Sequence, residues 1–408
     1  MKILKSCFIL LMIVILCQPL FSLSKIKKAF QGNENEMPED LVVDVELTEN
    51  INKFGFELFN DLNKAKGSDN IFISPVSIAL ALSMVNNGAE NTTLGEINAV
   101  LNNPDVNRIS INTSYQKLQE QLFNSDEKIE FLIGNSIWYD YNYTIKPDFL
   151  SVNQTYYNAF IDDLNFSSLN AAEDINKWVE ESTKGKITKI IDSEIDPQVI
   201  MYLINAIYFK GAWQKEFDIK RTRFGTFKPD ISCKMMTTTG DFPYFEHEQF
   251  QSVQLAYGDS DFAMTIFLPQ KNQNMDDMIE YINHLRWDYF LDQLEMAEGF
   301  LQMPRFEMEY ELNLNRYLNS MGMVSAFTPE ADFSGITDEE IFISEIKHKT
   351  YIKVNEEGTE AAAVTSVGME IVSHKEPDFV MRLDRPYVFF IHYKDLVIFM
   401  GKMVHPSE

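Results

Sequence analysis

Glu356-Glu357-Gly358-Thr359-Glu360-Ala361-Ala362-Ala363-Val364-Thr365-Ser366-Val367-Gly368-Met369-Glu370-Ile371-Val372-Ser373 is the stretch whose reading decides the fold. At strand period, its odd positions from Thr359 to Ile371 read Thr, Ala, Ala, Thr, Val, Met, Ile, while Glu360, Ser366, Gly368 and Glu370 fall on the even positions. Successive side chains of a strand point to opposite faces, so the odd set can be buried whole. Yet the stretch opens on two glutamates and a glycine, and it runs into the polar Ser373-His374-Lys375-Glu376-Pro377-Asp378, which reads as loop. A segment flanked like an exposed loop and patterned like an interior strand implies two states.

Outward from this stretch, the first third of the chain has helical spacing. Phe54, Leu58 and Leu62 recur every fourth residue, and Ile78, Leu82 and Val85 continue the pattern in a second helix. Asn170 with Glu173 predicts a capped helix start ahead of Ile175, Trp178 and Val179. Strand-like runs follow at 199–209, 262–268, 342–354, 387–392 and 397–400. Helices first and long strands later predict an α+β fold around large, mostly antiparallel sheets.

The net charge of −26, from 35 basic and 61 acidic residues, repels phosphate backbones and anionic lipid. Nucleic acid, heparin-type polyanions and membranes are therefore not expected partners of the bulk surface. Met1-Lys2-Ile3-Leu4-Lys5, an apolar run from Cys7 to Cys17, and the small residues Ser22 and Ser24 read as a secretory signal over 1–24. Residues 25–44 read as a flexible polar tail, and 45–408 as one domain without linker or repeat. Removal of the signal leaves Cys233 as the one cysteine, so no internal disulfide is expected. Five sequons, at Asn91, Asn112, Asn142, Asn153 and Asn165, fit a secreted glycoprotein, and Asn91 and Asn142 have the most loop-like surroundings.

Further blocks make the reading specific. They are Asn70-Ile71-Phe72-Ile73-Ser74-Pro75-Val76-Ser77-Ile78, Asn205-Ala206-Ile207-Tyr208-Phe209-Lys210-Gly211-Ala212-Trp213, Pro304-Arg305-Phe306, Ala331-Asp332-Phe333-Ser334-Gly335-Ile336, Arg385-Pro386-Tyr387-Val388-Phe389 and Phe399-Met400-Gly401-Lys402-Met403-Val404-His405-Pro406. Together with the loop, in this order over about residues 45 to 406, the chain resembles the serpins, the loop-inserting protease inhibitors. The resemblance implies helices packed around three β-sheets, a large central sheet, and an exposed reactive-centre loop. It implies a suicide substrate: a protease cuts the loop, the N-terminal part enters the sheet, and the acyl-linked enzyme is distorted. The partner is then a serine protease of the chymotrypsin class, met by a secreted monomer that needs no cofactor or metal.

The resemblance assigns roles by position. Glu357, Gly358, Thr359, Glu360, Ala361, Ala362 and Ala363 match the hinge. Ser74, Ser77, Asn205 and His348 match a polar cluster, the shutter, beneath the central strands, and Trp213 matches the tryptophan under the loop's entry point. Family spacing from Gly358 puts the scissile bond at Val372-Ser373, with Lys375-Glu376 as the rival. The apolar Ile371-Val372 bait favours an elastase-like enzyme, whereas Lys375 would favour a trypsin-like one. A catalyst is the first rival class, but no G-x-S-x-G, H-E-x-x-H, C-x-x-C or P-loop occurs, and six scattered histidines define no metal site. The second rival is a non-inhibitory carrier or chaperone. The small Thr359, Ala361, Ala363 and Thr365 on the inserting face argue for the inhibitor.

Overall fold

The structure, a computed structural model, describes residues 44–103, 107–123, 126, 128–191, 194–196, 199–359 and 376–407. The expected signal, the tail up to residue 43, Glu360, Ala361, Ala362, Ala363, Val372, Ser373 and Lys375 lie outside the described residues.

Helix α1 (Val45–Lys66) follows from the four-residue spacing, which buries Leu47, Ile51, Phe54, Leu58 and Leu62 on one face. Asp44 caps it through Oδ1, which accepts from the Leu47 N–H, and Gly67 at φ 52° ends it. Helix α2 (Pro75–Asn86) begins on the Ser74 cap with Pro75 in its first turn, and every one of its residues is buried. The remaining helices are α3 (Asn91–Val100), α4 (Arg108–Phe123), α5 (Pro147–Tyr157), α6 (Ala171–Ser182), α7 (Met275–Tyr281), α8 (His284–Asp292) and α9 (Asn315–Ser320). Helix α6 starts where Asn170 predicts, but the Asn170 side chain makes no capping bond.

The strands are β1 (Ile71–Ile73), β2 (Ile129–Asp140), β3 (Phe160–Leu164), β4 (Met201–Ala212), β5 (Arg223–Phe227), β6 (Ile231–Glu246), β7 (Phe250–Ala256) and β8 (Phe262–Pro269), then β9 (Glu295–Pro304), β10 (Phe306–Asn313), β11 (Lys347–Val354), β12 (Gly358–Thr359), β13 (Phe379–Arg382), β14 (Tyr387–Tyr393) and β15 (Leu396–Met403). A six-stranded sheet runs β10-β11-β12-β4-β2-β3. The other strands form one nine-stranded network, β1-β15-β14-β8-β7-β6-β9-β13, with β5 on β6. The expected count of three sheets is reached by dividing this network at the sixteen-residue β6, which pairs with β9 over most of its length and with β7 at its end. The fold class is α+β, as the order of patterns predicts.

The expected strand at 342–354 begins later, at Lys347. Pairing with β10 stops at Asn313 opposite Lys347, so residues 342–346 have no ladder to join and line a groove instead. The main core fills the space between both sheets around α1 and α2. A second, smaller core lies beneath α6, where Ile175 and Val179 pack with Trp138, Ile190, Ile204 and Ala206.

Candidate functional site

The site is built around the seam between β4 and β11. These strands pair directly, in parallel, at a single position, Ala206 opposite Lys349. Above it, the two-residue β12 is wedged between them. Gly358 and Thr359 pair antiparallel with Ala212 and Gly211 on one side, and Thr359 pairs with Val354 on the other. Gly358 and Thr359, which open the expected insertion, are thus already in the sheet.

Gly358 is needed by both conformation and space. Its φ is +152°, and a Cβ there would stand 2.1 Å from the Gly211 carbonyl oxygen and 2.8 Å from the Ala212 Cα, both backbone atoms that cannot step aside. Asn355 makes the turn before it, its Oδ1 accepting from the Glu357 and Gly358 N–H groups at 2.9 and 3.1 Å. Trp213 seals the entry: its N–H donates to the Glu357 carbonyl at 2.9 Å and its indole Nε1 to the Asn355 carbonyl at 3.0 Å. The ring lies 4.4 Å from that of Tyr257, nearly parallel at 14°, and the Tyr257 hydroxyl sits 2.7 Å from Thr359 Oγ1. Burial holds the Tyr257 phenol well above its ordinary pKa, so it is neutral and able to share that proton.

Glu356, 3% exposed, accepts from Arg305 Nε at 2.6 Å, and its other oxygen accepts from the Thr222 hydroxyl. A buried carboxylate persists only with such partners.

Beneath the seam, the four residues expected to cluster do meet. The Ser74 N–H donates to His348 Nε2 at 3.0 Å, Ser74 Oγ accepts from the Ser77 N–H at 3.2 Å, and Ser77 Oγ donates to Asn205 Oδ1. Burial pushes the His348 imidazole down to about 3, so it is neutral, with Nε2 as its acceptor. Asn205 Nδ2 donates to Asn135 Oδ1 at 2.6 Å, and Asn135 Nδ2 to the Tyr157 carbonyl at 2.8 Å. Asn135 is a member that sequence reading missed. Its signal was a polar residue among the otherwise apolar odd positions Ile129, Phe131, Ile133 and Ile137 of β2. Tyr257 and Arg305 were also missed as site residues, although Arg305 stands inside one of the quoted blocks.

At the lower end of the seam, Leu82 and Val85 of α2, Met201 and Leu203 of β4, and Phe342 and Ile346 line an apolar groove. Glu376, the other half of the rival bond, is exposed beyond the loop.

The sequons divide by burial. Asn112 and Asn153 are 3% and 0% exposed, with Asn112 Nδ2 donating to Asn87 and Asn153 Nδ2 to the Phe149 carbonyl. A glycan on either amide does not fit this fold, which corrects the expectation for both. Asn91, Asn142 and Asn165 are exposed. Among the described residues, no group of three His, Cys, Asp or Glu side chains could hold a metal, and no helix is long and apolar enough to cross a membrane.

A family profile described as Serpin (serine protease inhibitor) matches residues 49–406. The chain belongs to the serpin family. The leukocyte elastase inhibitor of Sus scrofa is 32% identical over 372 residues, covering 87% of this chain and 98% of that protein. The native state of tengpin, a thermophilic serpin, superposes with TM-score 0.81 at 31% identity, covering 91% of this chain and 96% of that one. Human thyroxine-binding globulin, in complex with its ligand, superposes with TM-score 0.80 at 26% identity, covering 89% and 99%. Serpins inhibit serine proteases and are not themselves catalysts, although the fold also serves a hormone carrier.

Proposed function

We propose that this serpin is a secreted, inhibitory, monomeric suicide substrate for a chymotrypsin-class serine protease of elastase-like preference, cut at Val372-Ser373. One observation carries the reading. Five residues beyond Thr359, the ladder with β4 brings residue 364 opposite Ala206, since 211 less 5 is 206. The ladder with β11 brings the same residue opposite Lys349, since 354 less 5 is 349. Ala206 and Lys349 are the pair that face each other directly, so one strand fits both walls of the seam in a single register.

That register gives each loop residue a matching neighbourhood. Thr365 comes beside Asn205 and His348 of the buried polar cluster. Val367 comes beside Leu203 and Ile346, Met369 beside Met201, and Ile371 beside Phe342, which are residues of the apolar groove. On the outer face Glu360 comes between Lys210 and Lys353. By the same register, a strand that ends at Val372 reaches three residues past Met201, the foot of β4. Cleavage after Lys375 would carry three more residues, roughly 10 Å, beyond it. Elastase-like preference is supported by Ile371-Val372 and by the activity named for the porcine relative. Secretion rests on the Met1–Ser24 segment, and the carrier reading remains the alternative.

Ala361→Arg tests the reading. Continuing the register brings Ala361 beside Phe209 and Ile352, both buried, so an arginine there has no partner. Wild type should form a denaturant-resistant complex and release a peptide beginning at Ser373. The variant should be cut at the same bond and release active protease. Equal inhibition by both would sink the insertion mechanism, and a released peptide beginning at Glu376 would move the bait to Lys375. The carrier reading wins if nicking the loop leaves the melting temperature within a few degrees of the intact protein.

A further inference from the structure

In a chain with 61 carboxylates against 35 cations, a cluster of cations beside the loop is unexpected. Within Lys215–Arg223 four cations, Lys215, Lys220, Arg221 and Arg223, meet only two carboxylates, Glu216 and Asp218. Asp218 spends one oxygen on the backbone, capping the Lys220 N–H at 2.8 Å. Lys215 lies over the Phe242 ring, 5.3 Å from its centre. Among the described residues, Lys220 and Arg223 form no ion pair although both are exposed. Two large apolar side chains stand out among them, Ile219 at 64% and Phe224 at 76% exposure. Solitary exposed apolar residues are ordinary, but a pair flanked by the exposed Lys220 and Arg223 has the composition of an interface.

This strip is fastened to the proximal root of the loop. The Phe217 N–H donates to the Glu356 carbonyl at 2.8 Å, and Thr222, between the two arginines, donates to the Glu356 carboxylate. The distal root is β13, reached across the same sheet through β6 and β9. The strip thus lies beside the proximal root, on the sheet that carries the distal one.

We infer that Ile219, Lys220, Arg221, Arg223 and Phe224 form a docking strip for the captured protease, fitting an acidic, partly apolar rim beside its cleft. The inference rests on the inhibitory reading and adds a second contact outside the loop. A sulfated polysaccharide is the other polyanion such cations could take. It has no use for Ile219 and Phe224, and any chain longer than the strip would run onto a surface of net charge −26.

The test compares wild type with Lys220→Glu/Arg223→Glu and, separately, Phe224→Ala. These are exposed positions, so folding should be untouched. Association rates are measured at low and high salt with whichever of pancreatic elastase, chymotrypsin and trypsin forms the covalent complex. Encounter affinity is measured in parallel with inactive forms of all three, in which the active-site serine is replaced by alanine. The double variant should associate about 10-fold more slowly at low salt, with the gap closing at high salt and the inhibition stoichiometry unchanged. Phe224→Ala should weaken the encounter without changing its salt dependence. Equal rates and equal encounter affinities would overturn the strip, as would a changed stoichiometry at an unchanged rate. Heparin binding to wild type that the double variant loses would overturn it in favour of a polysaccharide. Absence of any covalent complex with wild type would fault the inhibitory reading instead, while the inactive enzymes still report on the strip.

Discussion

The Tyr257 hydroxyl and Thr359 Oγ1, 2.7 Å apart and both buried, join the residue that follows β7 to the first residues of the loop. Without that partner the Thr359 hydroxyl would be a buried orphan, which costs about 1–3 kcal/mol and weakens the hold on β12. Tyr257→Phe keeps the stack on Trp213 and removes the partner. Amide exchange at Gly358 and Thr359 should accelerate about 10-fold, the equivalent of about 1.4 kcal/mol. Unchanged protection at those two amides would mean the backbone ladders alone hold β12 in place.

Gly358→Ala probes the same wedge from the opposite side. The added Cβ would meet the Gly211 carbonyl and Ala212 Cα, so β12 must leave the seam. Because an inserting strand passes through the same point, the variant should also turn over more inhibitor per enzyme trapped, raising the stoichiometry clearly above one. A variant that traps protease mole for mole would show that entry does not require this close approach.

Arg305 is the cation that makes a buried Glu356 tolerable. Arg305→Met should lower stability by about 3 kcal/mol, most of it the cost of an uncompensated carboxylate. The companion Glu356→Gln/Arg305→Met should recover much of that loss. Denaturant midpoints of the two variants decide it: equal destabilisation would assign the cost to lost packing by the arginine stem.

How much of this could be read in the sequence follows from what each pattern encodes. Phe54, Leu58 and Leu62 gave α1 and its buried face, and the apolar runs gave β4, β8, β14 and β15 within a few residues, because period and apolarity are local quantities. The alternation after Thr359 revealed that a strand was wanted, but not that its first two residues were already seated. That depends on Tyr257 and Gly211, more than a hundred positions away in sequence, and no local pattern carries it. Residues 342–346 have strand composition yet lack a partner ladder, which only topology reveals. The sequon motif contains no burial term. At Asn112 the warning was helical: Asn112, Tyr115 and Gln119 share the buried face of α4, which makes the asparagine a core polar residue.

Among the described residues two histidines, His348 and His392, are fully buried, and they set the acid side of the stability curve. Burial lowers the imidazole of His348 to about 3 and that of His392, beside Thr265 and Trp287, to about 4. In the unfolded chain both titrate near the ordinary value of about 6.5. Between these limits the unfolded state binds protons that the folded state refuses, so stability is full above about pH 7 and falls as the pH drops. By about pH 5.5, before most carboxylates titrate, each histidine should remove about 1.4 kcal/mol, or together about 2.8. Glutamine can reproduce the acceptor that His348 offers to the Ser74 N–H, so His348→Gln should fold and show about half of that decline. Denaturant unfolding of both proteins at pH 7.5 and 5.5 reads the difference directly. Parallel losses in wild type and variant would mean that His348 becomes protonated within the folded seam.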